Sequence, residues 1–371
     1  MFSTAHLPGM IHDDERLKDI VSLVGGVYAA QNPHLLETSK PDKSRLFQRL
    51  NVCRTTITAD LESAPGQEAL GVILTRAILL SFAELMVDPS GGKWDLLVRQ
   101  MQGFTRIHGA ASGDHGHGVH GRLPRSTLTL LRILSSSRAL VQEEDPGIIP
   151  QTLARPIPLV DTDIAGLSQN DLLERFAEHL ETWAQLQAWI RMWEADVEDS
   201  AAPAPAHSPQ PQSQPSPSLS AQEIRGLELT CIGAQFQRQI LSCLTFYASS
   251  QASSSTTANF TSAMLAFYHC ISIDISRLFA GPAWLRLDCE LPVMPQRLSY
   301  EQATRALECA ERSMESLHLE AILYGPILYV VSMEMARKVD RQRMVRFMGM
   351  LRKRGFGVIE RFRAEIEQDW G

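Results

Sequence analysis

The chain has 371 residues, 44% of them hydrophobic, with a formal charge of -7 and a sequence pI near 5.9. That length can bury a substantial core and accommodates one large domain or two ordinary ones. The acidic balance excludes a general attraction to polyanions, so any contact with DNA or an anionic membrane must be local.

At the N-terminus, Met1 to Arg16 lacks a basic segment followed by an apolar run. His12, Asp13, Asp14 and Glu15 stand where a signal peptide needs hydrophobic residues, so secretion is not expected. Further on, Leu80, Phe82, Glu84 and Leu85 belong to an apolar helical stretch that passes through a polar turn, Asp88 to Lys93. Trp94 and a second helix with Leu97, Arg99 and Gln102 follow.

A break is expected over 109–124, where glycine and histidine alternate. His108, His115, His117 and His120, with Asp114, supply imidazole and carboxylate suited to a divalent transition metal, and His115, His117 and His120 are the candidate ligands. The glycines between them cannot hold ligands rigidly, so a solvated loop is the preferred reading. Gly116, Gly118 and Gly121 match a dinucleotide-loop spacing, but no strand precedes them and Pro124 follows.

A second break, 143–163, mixes acids with Pro146, Pro150, Pro156 and Pro158. Ser168 and Asp171 then form a helix-start signal. Leu173, Phe176, Leu180, Trp183, Leu186, Ile190 and Trp193 recur at steps of three and four, one apolar helical stripe. The insertion 199–220, rich in proline, serine and glutamine, has almost no apolar bulk and is expected to be disordered.

Ser220 with Glu223 opens the next predicted helix, whose stripe reads Ile224, Leu227, Cys231, Ala234, Phe236, Ile240, Cys243, Leu244 and Tyr247. Ala266 to Phe279 reads as a buried helix, and Ser299 with Gln302 as another helix start. Ala321 to Met333 looks like the most apolar segment, yet its length and Pro326 rule out a membrane span, so no membrane contact is expected.

The C-terminal block is basic, and Arg341, Arg343, Arg346, Arg352, Lys353 and Arg354 form a candidate contact face for phosphate or an acidic protein. The plainer reading is a solvated helix face, because Met344, Phe347, Met348 and Leu351 supply the apolar stripe. Tryptophans 94, 183, 189, 193 and 370 are expected in the core rather than around a ligand.

The six cysteines are scattered. Cys231 and Cys243, the closest pair, are twelve positions apart, which excludes local chelation. They are expected to be reduced core residues of an intracellular protein. Strand signals are weak, and candidates such as Ile271 to Ile275 also fit a helix; a nucleophile elbow, a P-loop and an H-E-x-x-H helix are missing. The expected fold is all-α, an irregular multi-helix array with disordered Pro/Ser-rich and Gly/His-rich loops.

Two stretches resemble the fungal-specific transcription factor domain that follows the binuclear zinc cluster in many fungal regulators. One is the helix, turn, Trp94, helix order of Leu79 to Gly103. The other runs from Pro326, Ile327 and Leu328 through Glu334, Ala336 and Arg341 to Met350, Leu351, Gly355, Phe356, Arg363, Glu365 and Trp370. Ala266 to Phe279 is similar to the family's central buried helix. On this resemblance residues 55–371 form the regulatory domain, and 1–54, with a single cysteine, form an N-terminal segment without the zinc cluster.

The resemblance implies a nuclear regulator, or regulator-derived co-regulator, of a metabolic or secondary-metabolite gene cluster. It brings no catalytic residues and no cofactor. Other regulators or a second copy of the chain are the expected partners, with room for a small-molecule effector, and DNA would be reached indirectly or through a segment outside this sequence. The alternatives are a helical scaffold and a metal-dependent enzyme built on the histidine loop.

Overall fold

The computed structural model describes residues 14–32, 42–63, 70–110, 125–142, 168–201, 219–250, 255–314 and 319–371. The candidate metal ligands His115, His117 and His120, the break 143–163 and most of the insertion 199–220 lie outside them.

The fold is all-α, with twelve α-helices and no strand among the described residues. They are α1 (Glu15–Gln31), α2 (Lys43–Glu62), α3 (Leu70–Val87), α4 (Gly92–Ala110), α5 (Arg125–Gln142) and α6 (Gln169–Ala201), then α7 (Ala221–Ser250), α8 (Ser255–Leu278), α9 (Gln296–Ser313), α10 (Gly325–Glu334), α11 (Lys338–Lys353) and α12 (Ile359–Asp369).

Side-chain caps fix several helix starts by satisfying otherwise orphaned backbone N–H groups. Asp14 accepts from Arg16 N and Leu17 N, and Asp42 from Ser44 N and Arg45 N. The predicted Ser168 and Ser220 starts are both present. Asp171 N donates to Ser168 Oγ at 3.3 Å, and Ser220 with Glu223 closes a reciprocal box in which Ser220 N donates to Glu223 Oε2 at 2.7 Å. Ser299 differs: α9 begins at Gln296 after Pro295, and Ser299 is buried inside its first turn.

All seven residues of the predicted α6 stripe are buried. Each such apolar side chain stabilises by roughly 1.5–3 kcal/mol relative to exposure. The α7 stripe is buried from Phe236 onward, but Ile224 and Cys231 are exposed. The first half of α7 buries Gly226, Leu229, Thr230 and Gly233 instead. Phe279 lies so close to Gly233 that a Cβ there would collide with its ring. The stripe therefore turns because glycine, not a large apolar residue, lets an aromatic side chain approach the helix.

The hub is α8, buried without interruption from Thr261 to Ser276 and surrounded by α6, α7, α9 and α10. Helices α1, α2 and α4 gather around α3, and α5 joins this group to α6 and α10. Residue 55 falls within α2, and α1 packs on α3, so the described part of the N-terminal segment shares the common core.

By length and composition, α3 is the one described helix long and apolar enough to cross a membrane. It outranks the segment from Ala321 singled out in the sequence, which divides at Gly325 into a 3-10 turn and α10. Because 72% of α3 lies inside the fold, it is a core helix here. Its charged residues are matched: Arg76 meets Asp60 at 2.9 Å and Glu84 meets Arg54 at 2.8 Å.

Candidate ligand cavity and contact surfaces

The polar turn between α3 and α4 is built by Asp88. Its Oδ1 accepts from Ser90 N at 3.0 Å and Ser90 Oγ at 2.6 Å, and its Oδ2 accepts from Lys93 N at 2.9 Å. Partial burial raises the Asp88 pKa, but these donors outweigh it and hold the carboxyl below its ordinary range. Gly91 takes the left-handed φ of +69° that closes the turn.

This turn docks on the far end of the sequence. Gly357 N donates to Met86 O at 3.1 Å, Val358 N to Leu85 O at 3.3 Å, and Arg361 Nη1 to Ser90 O at 2.9 Å. Gly357 has to be glycine, since a Cβ would stand 2.8 Å from Met86 O. Asn32, capping α1, donates to Arg354 O at 3.0 Å, so three distant segments meet at one junction.

The basic block is divided by the structure. Arg341 donates to Trp370 O at 2.9 Å and lies over the Trp370 ring, Arg343 bonds Glu311 at 3.0 Å, Arg352 bonds Glu360 at 2.7 Å, and Arg354 donates to Met314 O. These groups tie helices together. Arg346 and Lys353, with Lys338, form no ion pair with a described carboxylate. Lys338, Arg341 and Arg346 line an open groove floored by Trp370.

Among the described residues, no group of three or more His, Cys, Asp or Glu side chains is placed to hold a metal ion. Two histidines are instead buried singly. His179 Nδ1 lies 3.1 Å from Tyr268 Oη, and His269 contacts Gln302. Burial lowers both imidazoles to about 4, so they are neutral at physiological pH. Cys243, close to Tyr268, is pushed up by burial to about 11 and is inert as a nucleophile.

A cavity of about 410 Å³ opens where α5, α6, α8, α10 and α12 converge. Asp274 of α8 stands in its wall and is only 5% exposed. Trp183 Nε1 and Gln187 Nε2, one turn apart on α6, both donate to Asp274 Oδ2 at 2.6 Å. Burial raises the Asp274 pKa, while these two donors and the nearby Arg277 and Arg191 pull it back.

No protein-family model, curated protein or solved structure matches this chain.

Sequence reading passed over Asp274, although a signal was present: it is the sole acid in AFYHCISIDISRLF, a stretch expected to be buried. An ionisable group in such a position must find partners or a cavity. Trp183, expected in the core, is fully buried and also walls the cavity.

Proposed function

We propose that this chain is the helical regulatory domain of a transcriptional regulator or co-regulator, resembling the fungal-specific transcription factor domain and acting through protein contacts. The observation that carries this reading is the junction of its two landmark stretches. The turn before Trp94 and the segment after Gly355, more than 250 positions apart in sequence, are joined by backbone hydrogen bonds at Met86 and Leu85 and by Arg361 on Ser90. A shared structural unit gives both stretches a reason to occur together. The open groove with Lys338 and Arg346 supplies cations for an acidic partner regulator. DNA is reached through that partner or through a segment outside this sequence, in the nucleus, at genes of a metabolic cluster.

The test is to tether the full chain to a heterologous DNA-binding domain upstream of a reporter in a fungal cell. The reading expects reporter output to change several-fold, up or down, relative to the DNA-binding domain alone. Unchanged output with a stably expressed fusion would contradict it.

A further inference from the structure

Asp274 is half satisfied. Its Oδ2 accepts two short hydrogen bonds from α6, whereas Oδ1 accepts none from the described residues. An acceptor without a protein donor takes its hydrogen bond from whatever occupies the space beside it, water or a ligand. The vacant valence belongs to a residue that lines the cavity.

The charges around this space do not cancel. Three carboxylates line it, Asp274, Glu365 and Asp369, against two guanidiniums, Arg191 and Arg361. Both arginines are held by protein acceptors: Arg361 Nε bonds Glu365 at 2.6 Å, and Arg191 Nη2 bonds Gln187 Oε1 at 3.3 Å. Arg277, the other cation near Asp274, is engaged by Glu334 at 2.9 Å. One negative charge is left over. Leu140 and Val141 from α5, Leu278 from α8, and Pro326, Val330 and Met333 around α10 supply an apolar side, next to Tyr329, whose buried Oη has no hydrogen-bond partner among the described residues.

From this arrangement we infer that the cavity binds a small monocationic amine carried on an aromatic or aliphatic body, with the ammonium donating to Asp274 Oδ1. The volume falls within the range of small-molecule sites, and a polar, net acidic side facing an apolar one suits a ligand with a cationic head and an apolar body. The inference adds a ligand class to the regulatory reading without depending on it, since binding is measured on the purified chain and regulation in cells.

The experiment titrates the purified full chain with 2-phenylethylamine and hexylamine, and with 3-phenylpropanoate as the charge-reversed control. Isothermal calorimetry reports binding, and tryptophan fluorescence reports occupancy beside Trp183. The amines are expected to bind at least tenfold more tightly than the carboxylate. Asp274→Asn, whose amide oxygen still accepts from Trp183 and Gln187, should weaken amine binding by about tenfold or more, the loss expected for one charge-assisted hydrogen bond.

Met333→Trp, at a half-exposed position on the mouth, provides a second route if Asp274→Asn unfolds, and it should abolish binding while circular dichroism stays unchanged. Binding of neither amine, equal binding of the carboxylate, or wild-type amine affinity in folded Asp274→Asn or Met333→Trp would each overturn the proposal.

Discussion

Glycine to alanine in a helix normally stabilises by about 1 kcal/mol, because alanine loses less backbone entropy and covers the backbone better. At Gly233 the structure predicts the opposite. A Cβ there would enter the Phe279 ring, and Phe279 has nowhere to retreat: it is fully buried, with its centroid 4.6 Å from Trp284, which in turn stacks on Trp193 at 4.1 Å. Overpacking of this kind costs about 1–3 kcal/mol. Gly103 of α4 is the control, since a Cβ there meets nothing within 4 Å. The propensity gain is common to both sites, so the stability difference between Gly103→Ala and Gly233→Ala isolates the packing cost, about 1–3 kcal/mol in favour of the former. Urea denaturation followed by circular dichroism measures it. Equal midpoints for the two variants, or a more stable Gly233→Ala, would refute the close approach of Phe279 to α7.

Removing Arg54 strands the fully buried Glu84 carboxylate, so Arg54→Ala should cost about 3 kcal/mol at pH 7, and Glu84→Gln distinctly less. Burial already raises the Glu84 pKa in the folded protein, so its protonated form is favoured by folding. The Arg54→Ala deficit should therefore shrink as pH falls through that raised pKa; a deficit that grows on acidification would contradict this. His179 and His269 have the opposite sign. With folded pKa values of about 4, their stability contribution is present above the unfolded value of 6.5 and is lost as pH falls from there toward 4. Each contributes about 1.4 kcal/mol per pH unit crossed. Replacing His179 with Gln should flatten the acid limb of a denaturation midpoint profile, and an unaltered limb would argue against neutral burial. In native protein a thiol reagent should label exposed Cys231 fastest, with Cys243, Cys270 and Cys309 protected. Cys231→Ser should abolish the fast phase, and its persistence would place Cys231 elsewhere.

Much of the helical plan was legible because large apolar residues at steps of three and four leave one reading, as in α6 and around Phe347 in α11. Capping chemistry was equally direct at Ser168 and Ser220. The signal failed where burial is not signalled by large residues. The first half of α7 presents Gly226 to Trp193 and Leu287 and Gly233 to Phe279, so Ile224 and Cys231 of the expected stripe are exposed. Ser299 resembled a cap, yet Pro295 sets the start of α9 one turn earlier. Arginines 341, 343, 352 and 354 formed a charge cluster in sequence and became separate ties to Trp370, Glu311, Glu360 and Met314 in space. Nor could spacing reveal the cavity. Asp274 meets Trp183 and Gln187 across about 90 positions, and its remaining walls come from three other helices. What sequence did offer was one acid on an otherwise apolar central helix.

The regulatory claim is tested most directly by comparing transcripts genome-wide between a strain lacking this gene and the same strain carrying it restored. The account predicts coordinated change of a compact set of metabolic genes, reversed by restoring the full chain. A transcript profile indistinguishable between the two strains, under conditions where the protein is expressed, would contradict it.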